Sequence, residues 1–260
     1  MILEDFHTHT VFCDGNNSPE EMVLSAIEKG VQKLGLLAHA YVDFDDCCVK
    51  LDEIEKFKAE ISRLREKYKE KIQIFCGVEM DYYSSMDLEG FDYVIGSVHY
   101  LKLGEEYFAV DLTAETLRTV ANKYFDGDIY AVCEAYYALV GEIADKFKID
   151  IIGHFDLITK FSENEDFIDA NNPRYINAAK GAIEKLVKHN IPFEINTGAI
   201  ARGYKKTPYP SFELTKYIAK LGGKFILSSD SHNKNSLCSG FDKWEKEYGE
   251  IGADIITANF

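Results

Sequence analysis

Ile2-Leu3-Glu4-Asp5-Phe6-His7-Thr8-His9-Thr10 opens the chain with a short, mostly apolar run that ends in two histidines one residue apart. Side chains alternate along extended backbone, so His7 and His9 point the same way off the end of a strand. The first run, Ile2–Phe6, is followed by six more of the same kind: Lys33–Ala38, Ile72–Val78, Tyr93–Val98, Ile149–Gly153, Pro192–Ile195 and Lys224–Ser228. Near-continuous apolar runs of this length read as strands buried on both faces of a parallel sheet. Polar residues cluster where the runs end: His39, then Glu79 and Asp81, His99, His154 and Asp156, Glu194 and Asn196, and finally Asp230 and His232. Of the seven histidines only His189 lies elsewhere, near a helix end before Pro192.

Between the runs lie helical signals. Ser18-Pro19-Glu20-Glu21 combines an N-cap serine, a first-turn proline and a capping-box glutamate, predicting a helix to about Gly30. Leu51, Ile54, Phe57, Ile61, Leu64 and Tyr68 recur at three- and four-residue steps, as do Val132, Tyr136, Val140, Ile143 and Phe147. Ile176, Ala179, Ile183 and Leu186 repeat the pattern, and Leu214, Ile218 and Leu221 do so before Gly222-Gly223. The aromatic segment Tyr124–Tyr137 reads as core packing. No repeat or linker divides residues 1–260, so one domain is expected. Strands alternating with helices give a parallel α/β sheet, either doubly wound or closed. An open sheet would keep the polar residues of distant strands apart, whereas a barrel gathers every strand end on one rim. The expectation is therefore a closed seven-stranded barrel with its site at the C-terminal rim of the strands.

Composition narrows the function. With 29 Lys+Arg against 44 Asp+Glu the formal charge is −15, which disfavours nucleic acid and anionic membrane as partners. It does not forbid an anionic substrate, because bound divalent cations reverse the field locally. No apolar run approaches the ~18 residues of a membrane span, and the N-terminus lacks a signal-peptide pattern. A cytoplasmic protein is the expectation; the oligomeric state is open. Cys13, Cys47, Cys48, Cys76, Cys133 and Cys238 form no C-x-x-C pair and read as reduced thiols, the Cys47-Cys48 pair included. No G-x-G-x-x-G, G-x-x-x-x-G-K-[ST] or G-x-S-x-G occurs, so dinucleotide, P-loop and hydrolase-elbow chemistries lack their anchor. A local Ser229/Asp230/His232 triad is poor geometry, since adjacent residues of a strand face opposite ways.

One strand-borne histidine is ordinarily a hydrogen-bonded core residue. Histidines at five separate strand ends, joined by Asp and Glu, instead form a donor set suited to Zn, Mn or Fe.

His7-Thr8-His9-Thr10, Gly77-Val78-Glu79, Gly96-Ser97-Val98-His99, Gly153-His154-Phe155-Asp156 and Ser229-Asp230-Ser231-His232 resemble, in order, the motifs of the PHP (polymerase and histidinol phosphatase) family. The resemblance spans residues 1–232 or beyond. Chain length, the Gly-Ser-x-His motif and Asn196-Thr197-Gly198…Arg202 are similar to the family's stand-alone histidinol-phosphate phosphatases. It implies a distorted seven-stranded (β/α)7 TIM-like barrel, in agreement with the strand count, and three divalent metals. By it, His7, His9, Glu79 and Asp230 hold one metal, Glu79, His99 and His154 a second, and Asp14, His39 and His232 the third. Asp14, in a loop, is the member most open to variation. The implied reaction is hydrolysis of a small phosphate monoester, L-histidinol phosphate first, within histidine biosynthesis. Glu79, Asp230 and His232 are the implied catalytic residues, and Arg202 and Lys160 the phosphate-binding ones. Three divalent ions against three carboxylates leave about +3 in the cleft. A metal-bridging water lowered towards pKa ~7 supplies hydroxide for in-line attack on phosphorus.

Other readings stay open at this point. The same site could take a sugar phosphate, a nucleotide or phosphotyrosine. A metal-dependent amidohydrolase shares H-x-H and a late Asp, but commonly adds a strand-borne carboxylated Lys for which no match stands here. A non-catalytic derivative would be expected to have lost ligands.

Overall fold

The computed structural model describes residues 3–165 and 167–260, so that Ile2, assigned above to the first run, lies outside it. The elements run β1 (Glu4–Asp5), α1 (Pro19–Glu28), β2 (Lys33–His39), α2 (Ile54–Tyr68), β3 (Gln73–Asp81), β4 (Tyr93–Ser97), β5 (Tyr100–Leu103) and β6 (Glu106–Ala109). There follow α3 (Ala114–Tyr124), α4 (Ile129–Val140), α5 (Ile143–Lys146), β7 (Ile151–Ile152), α6 (Pro173–Leu186) and β8 (Phe193–Asn196). The chain finishes with α7 (Gly198–Ala201), α8 (Phe212–Lys220), β9 (Lys224–Ser228), α9 (Phe241–Glu250) and β10 (Asp254–Ile255).

Eight strands form one parallel sheet in the order β1-β2-β3-β4-β7-β8-β9-β10, while β5 and β6 make a separate antiparallel hairpin. The sheet curls until its two sides meet. Thr8, beyond β1, bridges in parallel to Ser231, beyond β9; His9 N–H donates to Ser231 O at 2.8 Å and Ser231 N–H to His7 O at 3.1 Å. At the other end β10 runs beside the start of β9, and Ala258 N–H donates to Glu4 Oε1 at 2.6 Å.

The sequence pointed to seven strands and the sheet has eight. The seven runs all supply strands; the eighth among the described residues, β10, lies where Asp254 and Thr257 leave only Ile255-Ile256 as an apolar run. The runs are continuous because both strand faces are buried. Leu34, Leu36 and Ala38 of β2 pack outward into the core beneath the helices, while Leu37 joins Phe6, Tyr93, Ile95, Ile151 and Ile226 inside the curl.

Helix α1 starts as its sequence requires: Ser18 accepts from Glu21 N–H, and the Glu21 side chain accepts from Ser18 N–H. Helix α2 buries Phe57, Ile61, Leu64 and Tyr68 on one stripe, each large side chain contributing about 1.5–3 kcal/mol. The expected continuous helix from Val132 to Phe147 is instead two, α4 and α5. The break falls at Gly141, where an added Cβ would stand 3.1 Å from the Ala182 Cα of α6. Tight approach of α4 to α6 selects the glycine, and the glycine interrupts the helix.

Candidate active site

The ends of the parallel strands carry the polar residues onto one face. His7, Thr8 and His9 continue β1. His39 closes β2, where its register partner on β3 is Glu79. His99 follows β4, His154 follows β7, and Asp230 and His232 follow β9. Around His7-Thr8-His9 the alternation holds: Thr8 Oγ1 turns away to donate to Gly35 O at 2.7 Å, while the Nε2 atoms of His7 and His9 stand 3.1 Å apart. Two glycines make room. A Cβ on Gly153 would lie 2.3 Å from Ser97 Oγ, and one on Gly198 would lie 2.7 Å from Asp230 Cβ.

Glu79 is the centre of the cluster, with a fully buried side chain. Its Oε1 accepts from Ser97 Oγ at 2.7 Å and lies 2.9 Å from His154 Nε2 and 3.2 Å from His99 Nε2. Its Oε2 has no partner in hydrogen-bonding geometry, yet three ring nitrogens surround it: His39 Nδ1 at 3.0 Å, His7 Nε2 at 3.2 Å and His9 Nε2 at 3.5 Å. Asp230 Oδ1 lies 3.5 Å from both His7 and His9. Asp14 reaches His232 Nε2 at 3.1 Å, His39 Nε2 at 3.5 Å and His9 Nδ1 at 3.7 Å. All nine residues named as ligands from sequence therefore meet in one place.

This set fits divalent metal chemistry. Nitrogen and carboxylate donors converge at close range, and a buried carboxylate oxygen lacks a hydrogen bond; borderline divalent ions take such ligands. Among the described residues the donors form four overlapping groups: His7/His9/Asp230, His7/Glu79/His154, His39/Glu79/His99 and His9/Asp14/His39/His232. The geometry keeps Asp14, His39 and His232 together, as the resemblance groups them. His99 and His154 both reach Glu79 Oε1, although each falls in a separate group with it.

Charges here are strongly coupled. Burial opposes ionisation of Glu79, but His7, His99 and His39 outweigh it and hold its pKa well below the carboxylate range. Burial likewise opposes charge on His99, yet Glu79 and Asp81 push its pKa up to about 10. Burial, reinforced by His232 and His39, drives His9 down to about 3.

The cluster floors a cleft of about 540 Å³ that Arg202 and Lys160 also line. Arg202 is engaged by the cluster itself: Nη2 donates to Asp230 Oδ2 and Nη1 to Asp230 O, each at 2.9 Å. Lys160 Nζ donates to Asp111 O at 2.8 Å and Oδ2 at 3.0 Å. His189 is apart, pairing with Asp145 at 3.2 Å. Asp156 turns from the cleft and accepts from Ser211 N–H at 3.0 Å. The six cysteines are free thiols; the Cys47 and Cys48 sulfurs, 3.8 Å apart, border the cleft.

Sequence reasoning passed over several residues. Ser97 binds Glu79, Asp81 accepts from His99 N–H at 2.9 Å, and Asp111 anchors Lys160. Glu194, which the sequence places only at the end of a run, is fully buried and its Oε1 lies 2.7 Å from His7 Nδ1. Its position at a strand end was the available signal.

Known proteins share this architecture. A "probable histidinol-phosphatase" of Deinococcus radiodurans is 27% identical over 270 residues, covering 98% of this chain and 96% of its own. The histidinol-phosphatase of Bacillus subtilis is 24% identical, covering 91% and 96% respectively. A crystal structure of histidinol phosphate phosphatase from Lactococcus lactis, complexed with zinc, L-histidinol and phosphate, superposes with a TM-score of 0.76 at 21% identity, covering 98% of this chain and 95% of that one. The family model for the PHP domain matches residues 5–198, and with the fold and the strand-end cluster in place the conclusion is direct: this chain belongs to the PHP domain family.

Proposed function

We propose that this protein is a metal-dependent phosphomonoesterase that hydrolyses L-histidinol phosphate to L-histidinol and phosphate, a step of histidine biosynthesis. The observation that carries the reading is the convergence of nine nitrogen and carboxylate donors, seven of them lining a cleft that also holds Arg202 and Lys160, with His7 and His9 buried beneath. The relatives' names point to the same substrate. We read residues 1–260 as one distorted TIM-like barrel domain with the site at its C-terminal rim, and its place as the cytoplasm. Among the described residues no helix is long and apolar enough to cross a membrane. The acidic exterior disfavours nucleic acid.

His7, His9, Glu79 and Asp230 would hold one divalent ion, Glu79, His99 and His154 a second, and Asp14, His39 and His232 a third, with Zn, Mn or Fe all suited to the donors. Bound there, such ions supply Lewis acidity for the phosphoryl oxygens and lower the pKa of bound water towards ~7. The protein's part is to hold charge in place. Glu79 is fixed by Ser97 and Asp230 by Arg202, so little reorganisation is needed as the transition state forms. His232 Nδ1 lies 3.0 Å from both Arg202 Nη1 and Asp230 O, accepting from the first or donating to the second according to its tautomer, and its Nε2 lies 3.1 Å from Asp14. Arg202 and Lys160 are the phosphate donors, the first by a planar fork and the second as a point charge. Tyr100, Leu112, Leu157 and Tyr204 line the remaining wall, where the leaving group would sit.

The test is phosphate release by protein of known metal content, from L-histidinol phosphate beside sugar phosphates, a nucleotide and phosphotyrosine. The reading expects kcat/KM for histidinol phosphate to exceed the others by at least ~100-fold, or ~2.7 kcal/mol in transition-state binding. Equal activity across the panel would remove the substrate assignment, and no release at full metal loading would remove the phosphatase.

A further inference from the structure

Glu194 belongs to none of the ligand groups, yet it lies at 0% exposure beneath them. Resting on the reading of the cluster as a metal centre, we propose that Glu194 is a positioning residue that fixes the tautomer and the aim of His7 and ties them to the backbone at His154. Three donors converge on its two oxygens. His7 Nδ1 lies 2.7 Å from Oε1, while His154 N–H at 2.9 Å and the Asn196 amide at 3.0 Å both donate to Oε2. Asn196 is held in turn, its Oδ1 accepting from Gly198 N–H at 3.0 Å.

The consequence follows from imidazole chemistry. A ring that donates from Nδ1 to a carboxylate carries its proton there and presents Nε2 as a lone pair. In His7 that nitrogen faces Glu79 Oε2 at 3.2 Å and Asp230 Oδ1 at 3.5 Å, two of the three carboxylates of the cluster. Among the described residues no other ring of the cluster has an Nδ1 partner so close: His39 Nδ1 lies 3.0 Å from Glu79 Oε2 and His232 Nδ1 3.0 Å from Asp230 O, while those of His9 and His99 lie 3.4 Å from Cys13 Sγ and Asp81. Glu194 also spans the curl. It stands on β8, and its partners follow β7 on one side and β1, which is not a sheet neighbour of β8, on the other. One carboxylate thereby sets the separation of His7 and His154, which approach Glu79 through its two different oxygens.

Only a carboxylate serves. Glutamine has one acceptor oxygen, so its NH2 must face either the His7 N–H or the donors at Oε2, leaving a buried clash of donors. Aspartate keeps the charge but falls one methylene short.

The experiment compares wild type with Glu194→Gln and Glu194→Asp in three readouts: metal equivalents per chain after dialysis, Zn²⁺ affinity by chelator competition, and kcat and KM on a phosphomonoester. Expected for Glu194→Gln is a loss of about 10–100-fold in affinity at one site, with kcat falling more than KM rises and recovering in excess Zn²⁺. In a His7→Ala background the same change should add no further loss of affinity, because Glu194 acts through His7. Unaltered metal stoichiometry and affinity, with only the melting temperature lowered, would overturn the assignment; so would fully additive losses in the double variant. Should wild type itself take up no divalent ion, the metal-centre reading falls and this inference with it. Equal loading of wild type and variant removes Glu194 alone.

Discussion

Asp230 adopts φ +48°, in the left-handed region that few side chains other than Asn and Asp tolerate. Its carboxylate is shared between two histidines and Arg202. Asp230→Asn preserves both the shape and this backbone tolerance, so it isolates the charge. We expect phosphatase activity to fall by about 10²-fold or more, with metal content reduced and melting temperature held; near-normal turnover at full loading contradicts the role. Arg202→Ala should raise KM for the phosphate ester and, by freeing Asp230, also lower kcat. Arg202→Lys should not restore KM, because a point charge cannot bridge both Asp230 oxygens and a phosphate; full rescue by lysine would show that charge alone suffices. Residue identity made the ligands legible, since histidines at strand ends are visible without a structure. Glu194 was not, because its value depends on which strand lies opposite, and one sequence gives no register across non-neighbouring strands.

At the scale of elements, glycines decide how closely a strand end approaches the next. A Cβ on Gly198, at the start of α7, would meet Asp230 Cβ at 2.7 Å and Ser229 O at 2.9 Å, neither able to swing aside. Gly198→Ala should cost about 1–3 kcal/mol and disturb the Asp230–Arg202 pair, reducing metal affinity. Gly181, inside α6, has nothing within 4 Å of an added Cβ, so Gly181→Ala should stabilise by about 0.5–1 kcal/mol. Thermal melts of the metal-free variants check both; equal shifts would mean that helix propensity, not the approach at Asp230, governs both positions. The long amphipathic helices and buried strands were readable because period and burial coincide in them. The β5–β6 hairpin, α3, α7, α9 and β10 were not. The hairpin's residues beyond Leu101 are exposed or only partly buried, and in β10 Asp254 and Thr257 leave only Ile255-Ile256 as an apolar run.

For the whole molecule, an exterior of net charge −15 surrounds a cluster whose protons and carboxylates hold one another in balance. Carboxylate neighbours, against the opposing effect of burial, raise His7 and His39 above the ordinary histidine value and His99 to about 10. In metal-free protein these neighbours favour the protonated rings, and coordination must expel the proton from each ligating nitrogen. Metal affinity should therefore increase with pH through the neutral range, and adding Zn²⁺ to metal-free protein in weakly buffered solution at pH 7 should acidify it. Constant pH on saturation would contradict this picture of the cluster. That the strand ends converge was inferable from seven runs and their polar termini; how the donors group was not, because it depends on side-chain reach across the curl. The most direct test of the central claim is phosphate release from L-histidinol phosphate while metal is returned stepwise to chelator-stripped protein. The account predicts no turnover without metal and a rise that saturates by about three equivalents per chain. Full turnover by the stripped protein, or none at saturation, would contradict it.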